Sequence, residues 1–247
     1  MRLDVVFTPA GLTLAEVQGR TVFVIDILRA TTSMCAALNH GARAILPVAS
    51  TEEALKLAQT LASDDVRLAG EKNCVRIEGF HLGNSPLEMT ETAVRGRTLV
   101  VNTTNGTRAL LACQGASVVH PTCAGNLSLA AERARETLEQ DGAVLVVCAG
   151  RDNAFSLDDG YAAGRLVAAV LGGSVKRRGL NDAALASLDL VRRYGERWER
   201  PLRRSRAGRE LIRLGFADDV ADAARLDAYP VLPTFHDRRV TLAAVPV

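Results

Sequence analysis

Residues 22–34 read VFVIDILRATTSM: four apolar residues end in Asp26, Arg29 comes three later, and Thr31, Thr32 and Ser33 follow. Comparable sets stand elsewhere. Glu71 lies in GEK at 70–72, and GFHLGNSP at 79–86 holds Asn84 and Ser85. Residues 102–108 read NTTNGTR and supply Thr103, Thr104, Asn105, Gly106, Thr107 and Arg108. Asn126 stands at an expected helix start, and CAGRDN runs over 148–153.

The chemistry these residues suit is anion binding beside a metal ion. Helix N-termini offer unpaired N–H groups and a positive dipole end. Gly106 and Gly83 let the backbone come close to a ligand. Thr and Ser hydroxyls add hydrogen bonds, and Arg29 and Arg108 can each form a bidentate pair with phosphate, sulfonate or carboxylate. Asp26 and Glu71 cannot favour an anion alone. Their presence calls for a hard cation between acid and anion, and Mg²⁺ held through carboxylates and water fits best.

Singly, each residue has a plainer reading. Thr31, Thr32 and Asn126 suit helix N-caps, and Asn105-Gly106 suits a turn. Asp26 could pair only with Arg29, and Glu71 could be solvated. Asn84-Ser85-Pro86 suits a helix entry. Ser156-x-x-Asp159 spells a capping box, while Asp182, Asp218 and Asp219 read as first-turn helix acids. His40, His120 and His236 read as structural or solvated. Joint occurrence at the ends of successive strands favours a site. No phosphate-binding G-x-x-x-x-G-K-[ST], dinucleotide G-x-G-x-x-G after a strand or G-x-S-x-G elbow is present.

The elements that must position these residues follow from periodicity. Apolar runs predict strands at 4–7, 21–25, 44–48, 66–69, 98–101, 117–119 and 143–148, with a last strand at 240–245 at a sheet edge. Helical patterns fall at 32–39, 51–61, 86–93, 107–113, 127–139 and 157–171. Beyond 181 the chain turns helical and arginine-rich, with helices at 182–194, 206–214 and 217–226. Ser50 and Glu53 spell a capping box, and Pro86 suits a first helical turn. Continuous Val, Ile and Leu runs with helices between them predict an α/β fold, its mainly parallel or mixed sheet covered on both faces. There ligands sit at strand carboxyl ends. Residues 30–47 lie on residues 104–121 with Gly41 on Gly115 and Pro47 on Pro121. A duplicated half-domain would give that echo, as would the general likeness of βαβ units. No linker composition appears, so one domain over 1–247 is expected.

Composition narrows the partners. A formal net charge of +2 gives no field suited to nucleic acid or a membrane surface. Acids interleave the arginine-rich stretch and aromatics are few, so no nucleic-acid partner is expected. No run of about 18 apolar residues is present, so no bilayer span is expected. The five cysteines form no C-x-x-C pair, which speaks against a zinc knuckle or redox dithiol. Cys35, Cys113 and Cys148 read as small buried hydrophobes. The N-terminus lacks a signal-peptide core, and a cytoplasmic location is expected. The apolar face of the C-terminal helices could close the core or a homo-oligomer.

VIDILRATTSM, GFHLGNSP, NTTNGTRAL, AGN at 124–126, the CAG…FSLDD run and GRELIRLGFADDV together resemble the 2-phosphosulfolactate phosphatase family, from about Val22 to about Pro233. The resemblance implies a three-layer α/β/α fold and a Mg²⁺-dependent phosphatase that releases phosphate from 2-phospho-3-sulfolactate. In methanogens that step serves coenzyme M synthesis; bacterial members exist without that pathway. Three positions depart from the family pattern. Lys72, Asn73 and Cys74 replace an arginine, a glycine and a basic segment, His81 stands where an aspartate is expected, and Asp158-Asp159 replaces Glu-Asp.

The combined expectation assigns Asp26, Glu71 and Asp159 to Mg²⁺. Asp26 and Arg29 carry catalysis. The 103–107 turn and the hydroxyls and amides named above bind a small phosphorylated, sulfonated or carboxylated acid. Attack comes from water or from Asp26 as an aspartyl nucleophile. Arg108 or the GNSP loop holds the second anion. Phosphatases of other small phospho-acids and a non-catalytic anion-binding module are the rival readings.

Overall fold

Val- and Ile-rich runs that alternate with helices must be covered on both faces. The computed structural model, which describes residues 2–61, 64–173 and 179–242, forms strands on those runs. Among the described residues these are β1 (Arg2–Val6), β2 (Thr21–Ile25), β3 (Ala44–Pro47), β4 (Val66–Lys72), β5 (Val75–Arg76), β6 (Thr98–Asn102), β7 (Val118–Thr122), β8 (Ala143–Cys148), β9 (Pro233–His236) and β10 (Arg239–Leu242). They make one mixed sheet in the order β1-β8-β2-β7-β9-β10-β3-β6-β4-β5. Helices Leu127–Gln140 and Leu157–Leu171 pack on β2 and β8, and Thr51–Leu61 packs on β4 and β6. The result is a three-layer α/β/α domain. All five residues of β2 are buried, as expected of a strand flanked by parallel neighbours β7 and β8.

Two parallel sets compose the sheet. β1, β8, β2 and β7 run together, as do β3, β6 and β4. The antiparallel hairpin β9–β10 joins the sets. β2 is followed by a helix and then β3, while β6 is followed by a helix and then β7, and the two units exchange partners: β2 pairs with β7 and β3 with β6. That arrangement matches the internal echo in the sequence. The three antiparallel steps give the two sets opposite senses along the sheet. Five pairings separate β2 from β6. A twist of roughly 20–25° per pairing turns one set through ~100–125° against the other, so opposed senses need not mean opposite ends in space. The Gly106 contacts described below bring the end of β6 to the end of β2.

Some elements differ from expectation. The strand expected at 240–245 is Arg239–Leu242, and it lies at the centre of the sheet; positions 243–245 fall outside the described residues. Its partner β9 was not expected, because Pro233 opens it and its four residues carry little pattern. The 86–93 helix is instead a 3₁₀ turn, Pro86–Glu88, and a short helix, Glu91–Val94. Thr90 caps the second, its hydroxyl accepting from Ala93 N–H at 3.3 Å. Helix Glu199–Arg204 was also unexpected; Pro201 sits in its first turn, where no intrahelical N–H bond is lost. Ser50 Oγ accepts from Glu53 N–H at 3.1 Å, and the Glu53 carboxylate accepts from Ala49 N–H at 2.8 Å, a capping box displaced by one residue.

The core spans both strand sets, from Leu3 and Phe23 through Leu145 to Ile45 and Leu99. A smaller cluster of Val48, Ala54, Leu68, Phe80 and Val100 lies under helix Thr51–Leu61. Cys35, Cys113 and Cys148 are buried, as expected of small hydrophobes. Among the described residues no helix is long and apolar enough to cross a membrane.

Candidate active site

Asp26 leaves β2 in a turn tied by hydroxyls. Thr31 N–H and Thr31 Oγ1–H both donate to Asp26 O at 2.9 Å, and Asp26 N–H donates to Thr31 Oγ1 at 3.2 Å. Thr32 donates to Ile27 O at 2.8 Å and Ser33 to Asn84 O at 2.7 Å. Thr31 and Thr32 build the turn and do not line the cleft described below, and neither caps helix Ala30–Asn39, whose N-cap position is Arg29. Ala30 N–H donates to Asp26 Oδ1 at 3.3 Å. Asp26 Oδ2 accepts no hydrogen bond among the described residues. The turn after β6 presses against this acid: a Cβ on Gly106 would lie 2.4 Å from Ala30 Cβ and 2.7 Å from Asp26 Oδ2. Glycine is required there by close approach.

Glu71 joins the ends of two further strands. β4 and β5 form a hairpin around Asn73 and Cys74, with φ of 54° and 66°, the left-handed pair of a two-residue turn. Glu71 Oε2 accepts from Cys74 N–H at 2.7 Å and Oε1 accepts from Thr104 N–H at 2.8 Å. The solvated reading of Glu71 is thereby excluded.

Asp159 joins β2 to β8. Its Oδ1 accepts from Ile27 N–H at 3.0 Å and its Oδ2 from Gly150 N–H at 2.9 Å. The expected Ser156–Asp159 capping box is not formed. Ser156 Oγ donates instead to Asp158 Oδ1, and Asp159 reaches across to the two strand ends.

Arg29 is held on all sides. Nη1 donates to Asp219 Oδ2 at 2.6 Å, Nη2 donates to Cys74 O at 2.6 Å, and the guanidinium lies 4.6 Å from the Phe216 ring centroid. Asp219 Oδ1 accepts from Ser85 Oγ at 2.6 Å. The expected first-turn acid at 219 is thus a buried anchor for Arg29 and for the GNSP loop.

Asp26, Glu71, Asp158 and Asp159 line one cleft with Arg29 and Arg151, together with Asn84, Thr104 and Asn105. The cleft is small, with a cavity volume of about 80 Å³. Burial pushes the Asp26 carboxyl up to about 7, and the like charges of Asp158 and Glu71 add to the rise, while Ala30 N–H and Arg29 oppose it. Burial raises Asp159 well above the usual carboxylate range, helped by Asp158 and Asp26. Asp158 is raised by burial as well.

This donor set is all hard oxygen, and a divalent cation would relieve its mutual repulsion, so the residues present fit Mg²⁺. Among the described residues no three His, Cys, Asp or Glu side chains are already arranged as a metal cluster. Mg²⁺ commonly takes only one or two carboxylates and completes its shell with water and phosphate.

Other expected site residues lie elsewhere. Thr103 and Thr107 hydroxyls are engaged with each other's backbone, Thr107 N–H donating to Thr103 Oγ1 at 3.1 Å and Thr107 Oγ1 to Thr103 O at 2.8 Å. Ser85 Oγ serves Asp219 and caps Leu87 N–H. Asn126 is fully buried, its amide donating to Pro121 O and Val231 O and its oxygen accepting from Cys123 N–H. Arg108 is exposed and does not line the cleft. Of the departures from the family pattern, Lys72 and His81 are exposed and outside the cleft, His81 Nδ1 accepting from Leu68 N–H at 3.0 Å. Cys74 and Asp158 do line it. Sequence reasoning gave no role to Asp158, Arg151 or Asp219. CAGRDN pointed to Arg151 only as a strand-end polar run. The repeated acid at 158–159 was the signal for Asp158, and no local signal marked Asp219.

A family model described as 2-phosphosulpholactate phosphatase matches residues 6–238. A protein of Symbiobacterium thermophilum is 39% identical over 227 residues, covering 92% of this chain and 96% of the relative. One of Deinococcus radiodurans is 40% identical over 212 residues, 85% of each chain, and one of Clostridium novyi is 31% identical over 245 residues, 98% of this chain and all of the relative. Each is named "Probable 2-phosphosulfolactate phosphatase". With a match that runs nearly end to end, and with Asp26 and Arg29 of VIDILRATTSM, Asn84 of GNSP and Thr104 and Asn105 of TTNGT on one acidic cleft, this chain belongs to the 2-phosphosulpholactate phosphatase family.

Proposed function

We infer that the protein is a Mg²⁺-dependent phosphatase that hydrolyses 2-phospho-3-sulfolactate to 3-sulfolactate and phosphate. One observation carries this reading: four buried carboxylates, Asp26 and Glu71 at the ends of two strands and Asp158 and Asp159 in the first turn of helix Leu157–Leu171, share a small cleft with two arginines. Such a cleft suits a cation and an anion bound together.

Asp26 and Asp158 would hold Mg²⁺, with Glu71 and Asp159 each contributing a remaining lone pair. Asp159 also fixes the ends of β2 and β8 through two backbone amides. This set adds Asp158 to the expected Asp26, Glu71 and Asp159; Glu71 and Asp159 each have both oxygens bonded to backbone N–H groups and keep a lone pair on each for the cation. When bound, Mg²⁺ supplies charge neutralisation for the phosphoryl oxygens. Thr104 and Asn105 border the place of the phosphoryl group, in a turn that Glu71 and Gly106 fix. Arg29 lends its positive charge from a locked position. Positioning and charge stabilisation of this kind are most of what phosphoryl transfer requires of a protein.

The P–O ester bond breaks, water supplies the new oxygen, and the alkoxide leaves as the alcohol of 3-sulfolactate. Whether Asp26 attacks first as a carboxylate nucleophile is decided by trapping: a phospho-aspartyl adduct at Asp26 supports that route, and a single turnover that forms no adduct supports direct attack by water. The function itself is tested by phosphate release from 2-phosphosulfolactate, 2-phospholactate and 3-phosphoglycerate, each with Mg²⁺ and with chelator. Preferential Mg²⁺-dependent release from 2-phosphosulfolactate supports the reading, and equal or absent release overturns it.

A further inference from the structure

Two of the three arginines considered for the site are accounted for. Arg29 has its guanidinium engaged by Asp219, Cys74 and Phe216, and Arg108 is outside the cleft. Arg151 is different. It follows β8 and opens a two-residue turn closed by paired bonds, Arg151 N–H to Ala154 O and Ala154 N–H to Arg151 O, both 2.9 Å. Asp152 and Asn153 take the positive φ values of that turn, 52° and 60°, a conformation their short polar side chains tolerate. Gly150 packs tightly beneath it, since a Cβ there would lie 2.4 Å from Ala154 O. The backbone that carries Arg151 is therefore firmly set.

The side chain lines the cleft and is largely buried, 23% exposed. Its only ion pair among the described residues is with Asp152 Oδ2 at 4.0 Å, beyond hydrogen-bond range. Asp152 is 61% exposed and lies closer to Arg206, at 3.4 Å. Arg151 thus presents a guanidinium fork with no hydrogen-bonded acceptor among the described residues, on the wall of a cleft whose other arginine, Arg29, is already engaged. A planar fork of this kind is suited to bidentate pairing with an oxyanion.

We propose that Arg151 is a specificity-determining residue that binds the sulfonate of the substrate. The assignment rests on the phosphatase reading given above. In 2-phospho-3-sulfolactate the carboxylate and the phosphate ester share one carbon, so the carboxylate stays near the reacting centre. The sulfonate sits on the next carbon and is the anion that can reach a second wall of the cleft. Arg151 neutralises it there, and does so without competing for the phosphoryl group held beside Asp26.

The test compares wild type with Arg151→Ala in two arms. Calorimetric titration with 3-sulfolactate and with lactate, in Mg²⁺, measures binding without turnover. Charge-assisted hydrogen bonds predict a loss of roughly 10- to 100-fold in 3-sulfolactate affinity and little change for lactate. Steady-state rates on 2-phosphosulfolactate and 2-phospholactate form the second arm: KM should rise by a similar factor for the sulfonated substrate alone, with kcat nearly kept. Unchanged 3-sulfolactate affinity in the variant, absent binding in wild type, or an equal loss on both substrates overturns the assignment. Failure of wild type to release phosphate from 2-phosphosulfolactate refutes the phosphatase reading instead, and the binding arm still decides on Arg151.

Discussion

Arg29 and Asp219, 190 residues apart, form a 2.6 Å ion pair in which each side chain is only 3% exposed. The pair fastens the helical C-terminal part of the chain to the turn that carries Asp26. Removing one partner leaves the other charged and buried, which costs about 3–5 kcal/mol. Asp219→Ala should therefore lower unfolding stability by roughly that amount, measured by urea denaturation, and should release the GNSP loop through the loss of the Ser85 contact. A stability within about 0.5 kcal/mol of wild type would contradict the anchoring role.

Gly106→Ala tests the packing of the second turn on Asp26. The added methyl would meet Ala30 and Asp26 Oδ2 at distances no side chain tolerates. Overpacking costs about 1–3 kcal/mol, and a displacement of the reacting group by about 1 Å costs on the order of 100-fold in rate. We expect kcat to fall by about that factor in a protein that still folds. Arg108→Ala, by contrast, should leave kcat/KM within about twofold, because that side chain is exposed and outside the cleft.

Those two variants also mark what the sequence could and could not tell. The strands at 21–25 and 143–148 and the helices at 157–171 and 182–194 were legible because their apolar residues face one continuous core, and the helix at 51–61 because its apolar face covers the smaller cluster. The site was legible as polar residues after strands, and Asp26, Glu71 and Asp159 do converge. Individual roles were not. The hydroxyls of Thr31, Thr32, Thr103 and Thr107 close backbone turns, a use that residue type and spacing cannot distinguish from ligand binding. Asp219 looked like a first-turn helix acid because its partners are distant in the chain. Strand Pro233–His236 was missed because it is too short to carry a pattern, and the strand expected at 240–245 was placed at an edge because its central position is set by the gap between two strand sets.

Acidity in the cleft gives a pH prediction for metal-free protein. Asp26 rises from 3.8 to about 7 on folding, and Asp158 and Asp159 rise too. A carboxyl with a raised folded pKa binds more protons in the folded state than in the unfolded one, so stability falls as pH climbs from about 4 to about 7. For Asp26 alone the loss is about 4 kcal/mol on the scale of 1.36 kcal/mol per pH unit. Melting in chelator should give a lower Tm at pH 8 than at pH 5. Millimolar Mg²⁺ should raise the Tm at pH 8 and have little effect at pH 5. A Tm that rises from pH 5 to 8 without metal would contradict the description of the cleft.

In the proposed reaction Asp26 lies where a cation and a phosphoryl group meet. The most direct test of that placement is phosphate release from 2-phosphosulfolactate by wild type and Asp26→Ala, each in Mg²⁺ and in chelator. Wild type should turn over only with Mg²⁺, and Asp26→Ala should be inactive under both conditions while keeping its fold by circular dichroism. Turnover by the folded variant at the wild-type rate, or wild-type turnover that chelation leaves untouched, would contradict it.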